Sequence, residues 1–298
     1  MLLPAALVFA SLLPAQPAAA PKFEISDGDR IVWIGNTLVE REQRYGYWET
    51  ALHAAFPDKQ FTLRNLGWSG DTVFGDARAG FENAAKGFER LVSLTLELKP
   101  TVIFVSYGTN ESFEGEAGLE KFEKGLEKLL DALKPTKARV VLFSPLPMEK
   151  AGTPHPQDKM LKKYGDAIRK VATARKLAFA DLHHYVGQHL FSITPNFTVM
   201  DNGMHLTEAG FAFEARQFLG SLGLDVERAP KTEDAEKIRQ AIVEKNQLFF
   251  YKWRPQNETY LFGFRKHEQG KNAKEVVEFD PLIAKAEDEI EKLRKALK

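Results

Sequence analysis

Four short polar blocks hold the side chains of this sequence best suited to chemistry. Gly35-Asn36-Thr37-Leu38 follows the apolar run Ile31 to Ile34, and Gly67 lies within Asn65-Leu66-Gly67-Trp68-Ser69-Gly70-Asp71. Gly108-Thr109-Asn110-Glu111 follows Val102 to Tyr107, and Asn202-Gly203-Met204-His205-Leu206-Thr207 comes near the end of the domain, with Asp201 directly before it. A hydroxyl, an imidazole, a carboxamide and carboxylates are the groups that nucleophilic and general acid–base chemistry uses. Glu111, next to Asn110 at a predicted rim, is a candidate general base on water; a helix-entry carboxylate, or a partner for Arg41 or Arg44, is an equal reading. Asp71 reads as structural, capping the segment after it. Each block alone is weak, since a glycine after a strand is usually a turn and a lone histidine before a helix is usually a cap or core residue. His183, His184 and His189 lack a cysteine partner or a His-Glu-x-x-His pattern, so neither a metal nor another cofactor is expected.

These blocks need elements to position them. From Ile31 to Gly220, short apolar runs alternate with amphipathic stretches, the pattern of βαβ units on a parallel sheet. The strand candidates are Ile31 to Ile34, Phe61 to Leu66, Val102 to Ser106, Val140 to Phe143 and Ala178 to Ala180. Leu119, Phe122, Leu126, Leu129, Leu130 and Leu133 recur at helical spacing, as do Leu161, Tyr164, Ile168, Val171 and Ala172. The expected fold is three-layer α/β/α around a five-stranded parallel sheet. Each block then falls at the C-terminal edge of the strands, where open parallel sheets bind ligands.

The 298 residues, 44% hydrophobic and 28% charged, suffice for one such domain of about residues 21–228 and an extension over 229–298. With 41 acidic and 41 basic residues there is no long-range field to draw nucleic acid or an anionic membrane. Residues 1–20 are almost wholly apolar, end in Pro17-Ala18-Ala19-Ala20, and read as a secretory signal, although they carry no Lys or Arg. The expected location is periplasmic or extracellular, with no membrane span in the mature chain. The absence of cysteine rules out disulfides.

In the extension, Ala235, Ile238, Ala241, Ile242, Leu248 and Phe249 predict a helix, and Asp280-Pro281 predicts the start of another, with Asp as N-cap. Between them, Tyr260, Phe262 and Phe264 alternate at period two and predict a short strand in an arm packed back on the domain. The aromatic, Arg, Asn and His content of Trp253 to Gly270 suits either a lid over a sugar-like ligand or structural packing.

Taken together, the four blocks resemble those of the SGNH (GDSL) hydrolases over about Asp29 to Gly220, with a flavodoxin-like sheet order. The arm is similar to a tail on exported SGNH-like proteins of planctomycete-type bacteria. The resemblance implies an ester hydrolase in which the first-block hydroxyl attacks, the last-block His removes its proton, and an Asp three residues earlier orients the ring. Backbone N–H groups of the first and second blocks and the third-block Asn would hold the oxyanion. These roles map to Thr37, His205, Asn202, Gly67 and Asn110, with Asn36 beside Thr37 and Asp201 beside Asn202. Thr37 replaces the family Ser, and Asn202 and Asn36 replace Asp. Thr keeps a hydroxyl on a crowded turn, whereas Asn202 lacks the orienting charge. The substrate the resemblance implies is a small-molecule or polysaccharide ester, with an acetylated carbohydrate as the expected class. The competing expectation is a carbohydrate-binding protein that kept the pocket and lost the triad.

Overall fold

The computed structural model describes residues 23–150, 153–190, 198–228 and 233–296; the expected leader lies outside them. Five strands form the central sheet: β1 (Asp29–Gly35), β2 (Phe61–Gly67), β3 (Val102–Ser106), β4 (Arg139–Phe143) and β5 (Ala178–Ala180). They lie in the order β2-β1-β3-β4-β5, and every pairing is parallel. This is the three-layer α/β/α fold expected from the alternating runs.

Because both faces are covered, the strands are mostly apolar, with Thr62 and Arg64 half-buried on the edge strand β2, and successive residues feed opposite layers. Trp33 points to one layer, where its ring lies 5.6 Å from each of Phe104, Phe143 and Phe218. Its indole N–H donates to Ser106 Oγ at 2.9 Å, which satisfies the single polar atom that this burial would strand. Val32, Ile34, Ile103 and Val105 face the other layer, with Leu126, Leu129 and Ile168 from the helices Leu119–Leu133 (α4) and Asp158–Arg175 (α5).

The register aligns the strand ends. Gly35 is level with both Gly67 and Ser106, so the loops leaving β1, β2 and β3 start side by side. The loop from β1 turns at once into a helix, Thr37–Tyr45 (α1), and a second helix, Tyr47–Ala55 (α2), follows it.

The extension is a helical clasp. Helix Glu233–Trp253 (α9) and helix Phe279–Lys295 (α12) pack on each other, and α9 also lies on α1, α2 and β2. Lys245 of α9 is buried; its Nζ donates to Glu49 Oε1 at 2.7 Å and to the Leu63 carbonyl at 2.9 Å. A buried ammonium tolerates that position only with such partners, so α9 is seated at one place on the sheet.

Two sequence expectations fail in this region. Tyr260, Phe262 and Phe264 form no strand: Glu258–Leu261 is a short helix, and Phe262 and Phe264 are exposed. The backbone there is satisfied locally, with Tyr260 and Leu261 donating to the Asn257 carbonyl. The last helix also begins at Phe279 rather than at an Asp280 cap, with Glu278 preceding it and making no side-chain cap. Pro281 then falls in the first turn, where its missing N–H has no intrahelical partner to lose.

Candidate active site

Thr37 stands at the first position of α1, half-buried at the C-terminal edge of β1. Asn36 caps the helix: its Oδ1 accepts from the Leu38 N–H at 3.2 Å, and the residue is buried. Asn36, expected at a substrate-binding position, thus spends its side-chain carbonyl in shaping the turn. The cap aims the orphan N–H groups of the first turn, and the positive end of the helix dipole, at the space around the Thr37 hydroxyl.

The second-block donor also shifts. The Gly67 N–H is taken by Asn65 Oδ1 at 2.8 Å, and a Cβ on Gly67 would lie 2.2 Å from the Glu40 backbone nitrogen. Gly67 is thus glycine so that α1 can cross the sheet in contact with β2, and its amide faces away from the hydroxyl. The amide that reaches Thr37 belongs to Gly70, whose N–H donates to Thr37 Oγ1 at 3.2 Å. Gly70 has φ +78, a conformation that glycine adopts freely, and open space around its Cα.

Asn110 converges on the same loop. Its Nδ2 donates to the Asp71 carbonyl at 2.7 Å, which occupies one of its two amide hydrogens and ties the loop after β3 to the loop after β2. Below it, Asp71 Oδ2 accepts from Arg78 Nε at 2.6 Å and from the Tyr107 hydroxyl at 2.9 Å, and all three side chains are buried. Asp71 is structural, as expected, but as the centre of a buried ion pair rather than as a cap.

Glu111 is not at a rim. It is 5% exposed; Oε1 accepts from the Val73 N–H at 2.9 Å and Oε2 from the Gly108 N–H at 2.8 Å. Burial pushes its carboxyl up to about 7, against the pull of these N–H donors. Both oxygens bind backbone, so Glu111 braces two loops and cannot reach a substrate water. Nor does it pair with Arg41 or Arg44, which face Asp201 at 3.6 Å and Glu40 at 3.7 Å.

The fourth block forms a hairpin in which Met200–Asp201 pairs with His205–Leu206. Asn202 has φ +50 and Gly203 φ +72, and the Met204 N–H closes the turn on the Asp201 carbonyl at 3.2 Å. Those angles match the Asn-Gly pattern of a primed turn. Asn202 is exposed at the tip, and among the described residues its side chain makes no hydrogen bond to His205. Asp201, by contrast, is directly opposite His205 in the register, so both side chains project from the same face of the hairpin. The carboxylate beside the imidazole therefore comes from Asp201, four residues before the histidine. The ring is half-buried and its pKa is lowered, by desolvation first and then by Arg41, with Asp201 opposing. It is the neutral, proton-accepting form at pH 7.

Helix α1 joins the two halves. The hairpin packs on α1, and Thr37 and Arg41 are four residues apart, on one helix face. Arg41 reaches Asp201, so Thr37 faces the hairpin that carries His205. Among the described residues no hydrogen bond links Thr37 to His205.

The extension also touches this site. Glu40 Oε2 accepts from the Ser69 N–H at 2.7 Å and from Arg254 Nη1 at 2.8 Å, while the Arg254 guanidinium lies 3.7 Å from the Trp68 ring centroid. Arg254 thus holds the carboxylate that holds the loop bearing Gly70. A cleft of about 730 Å³ lies between the extension and the segment after β2; Glu40 and Trp68 stand in its wall, whereas Thr37 and His205 do not. Sequence reasoning missed Gly70, the Asp201–His205 pairing and Arg254. The Asn202-Gly203 dipeptide was an available signal for the hairpin, whereas no local pattern announces Arg254. His183 and His189 pair with Asp158 and Glu214 at 3.1 and 3.4 Å, and no group of three or more metal-ligating side chains occurs among the described residues.

Comparison with known proteins places this geometry in a family. The sequence model of the GDSL-like lipase/acylhydrolase family matches residues 28–213, and the chain belongs to that family. Among solved structures it is similar to Axe2, an acetylxylan esterase from Geobacillus stearothermophilus, at 20% identity and TM-score 0.54, covering 68% of this chain and 98% of that one. It is also similar to the acetyl xylan esterase AlAXEase, at 19% identity and TM-score 0.51, covering 64% and 98%. At these identities the likeness is one of fold. No curated protein matches the sequence.

Proposed function

We propose that the chain hydrolyses a carboxylic ester, with an acetyl group on a carbohydrate as the substrate class. The observation that carries this reading is the Gly70 N–H on Thr37 Oγ1 at 3.2 Å, because it puts a backbone donor beside a hydroxyl at a helix N-terminus, where an acyl oxyanion would form. In the proposed reaction Thr37 Oγ1 attacks the ester carbonyl while neutral His205 accepts its proton. The Thr37 and Gly70 N–H groups and the second Asn110 amide hydrogen receive the oxyanion. His205 then protonates the departing sugar oxygen, and water releases acetate by the same route. Asp201 supports the imidazolium from across the hairpin. The family match and the acetylated-xylan substrates named for the similar folds support this substrate class.

The chain is expected to reside outside the cytoplasm, on the strength of the apolar residues 1–20. Aryl acetate and acetylated xylo-oligosaccharide turnover by the wild-type chain, Thr37→Ala and His205→Ala tests the catalytic reading. Loss of at least about 10²-fold in both variants is expected. Turnover retained in Thr37→Ala would move the chemistry to another group, and a wild-type chain that binds glycans without turnover would identify a binding protein.

A further inference from the structure

We propose that the cleft between the C-terminal extension and the segment after β2 binds a neutral oligosaccharide, the leaving-group portion of the ester. This rests on the function proposed above for the substrate's acyl end, and nine of the cleft's sixteen lining residues come from the extension, beyond the part of the chain that matches the family. Three observations carry it.

The first is position. The wall of the cleft includes Glu40, one helical turn after Thr37, and Trp68, two residues before Gly70. A chain lying in the cleft would therefore contact the two segments that carry the hydroxyl and its amide donor. At about 730 Å³ the cleft lies in the usual range for ligand sites.

The second is exposed aromatic surface. Phe81 is 86% exposed, Phe264 70% and Phe262 52%, and all three line this one cleft. Phe81 comes from the domain and Phe264 from the extension; their rings meet edge to face at 5.9 Å across the opening. Large apolar rings left this open and grouped mark a binding surface. Flat rings suit the C–H faces of pyranose sugars.

The third is charge. Three carboxylates, Glu40, Glu82 and Glu258, and two guanidinium groups, Arg90 and Arg254, line the wall. Arg254 pairs with Glu40 at 2.8 Å and Arg90 with Glu258 at 3.2 Å. The cleft has no surplus of positive charge to attract a phosphate or an acidic glycan. An alkyl chain would have to desolvate these charges, whereas hydroxyl groups can bond to them. Aromatic faces bordered by both donors and acceptors fit a neutral polyol.

The test uses the full chain. Calorimetric titration with unacetylated xylotetraose, mannotetraose, cellotetraose and chitotetraose should show binding of at least one. Phe81→Ser together with Phe264→Ser should raise that Kd at least fivefold and leave kcat/KM on aryl acetate within twofold; both side chains are exposed, so the fold is retained. Absence of binding by the whole panel overturns the proposal, as does binding that is unchanged in the double variant. A wild-type KM that falls as aryl esters lengthen from acetate to octanoate, with that preference lost in the double variant, also overturns it and makes the cleft an acyl groove. If the wild-type chain turns over no ester while sugar binding still depends on Phe81 and Phe264, the function proposed above falls and the cleft's assignment as a sugar site stands. If His205→Ala abolishes turnover and no sugar binds, the reverse holds.

Discussion

Moving one negative charge by a single residue near His205 separates two readings of the site. If the orienting position were three residues before the histidine, as in the family pattern, Asn202→Asp would restore a triad and raise turnover by orders of magnitude, since an orienting carboxylate is worth about 10⁴ in the well-studied serine protease case. The hairpin argues otherwise. Asn202 sits exposed at φ +50 on the turn, and Asp201 is the residue opposite the ring. Asp201 is 57% exposed on its side chain and shares its charge with Arg41 at 3.6 Å, so its attraction for a developing imidazolium is screened to about 1 kcal/mol or less. That corresponds to about a fivefold rate effect at most.

We expect Asp201→Asn to lower kcat/KM on aryl acetate about three- to fivefold, and Asn202→Asp to change it less than about twofold. The pH profile adds a sign. The His205 pKa is lowered by burial and by Arg41 and raised by Asp201. The neutral ring is the working base, so the acid limb of kcat/KM follows that pKa. Removing Asp201's charge moves the limb to lower pH, and Arg41→Gln moves it to higher pH. Stopped assays across pH 4 to 9 read both shifts. A gain of 10² or more in Asn202→Asp, or limbs that move in the same direction in both variants, would refute the assignment.

The two second-block glycines should fail in different ways. Gly67→Ala drives a Cβ to 2.2 Å from the Glu40 backbone nitrogen and should lower stability by about 2 kcal/mol or more in urea unfolding, whereas Gly70→Ala should stay folded and lose about tenfold or more in kcat as the strained turn moves its N–H. Arg254→Met should reduce kcat on aryl acetate about tenfold with KM within twofold, and Arg254→Lys should recover part of it; loss confined to thermal stability would make Arg254 a strap only. Glu111, near 7 in the fold, and Glu214, near 8, both prefer their protonated forms when buried. Their raised values make stability greatest below the unfolded pKa of about 4.3 and lost as pH rises through 7 and 8. Urea unfolding at pH 5, 6, 7 and 8 should therefore show a decline that Glu111→Gln flattens between pH 5 and 7; an unchanged slope would mean that Glu111 is ionised throughout.

Much of the fold was legible in the sequence because it rests on local periodicity. The five strand candidates fall on β1 to β5 within about two residues at either end, since a strand buried on both faces has to be a short apolar run wherever it occurs. Helices α4, α5 and α9 were legible for the same reason, their apolar stripes recurring at 3.6 residues. The blocks at the strand ends then follow from the parallel topology, which gathers Thr37, Gly70 and Asn110 at one edge.

The remainder depended on contacts between distant segments. Tyr260, Phe262 and Phe264 alternate like a strand, yet the N–H groups of Tyr260 and Leu261 close on the Asn257 carbonyl and Glu258–Leu261 is a short helix. Gly67 and Gly70 are indistinguishable as letters, and only the passage of α1 over β2 decides which amide is consumed by packing and which faces Thr37. Glu111 changes from a candidate base to a brace because the loops around it turn their N–H groups onto both of its oxygens. The sequence by itself determined the sheet, its helices and the inventory of reactive groups, all of which follow from patterns within one segment. The tertiary structure alone decided which glycine amide reaches Thr37 and that Arg254, more than two hundred residues from Thr37, holds the loop that faces it. Direction and distance between side chains are set by how elements pack, and no single segment contains that information.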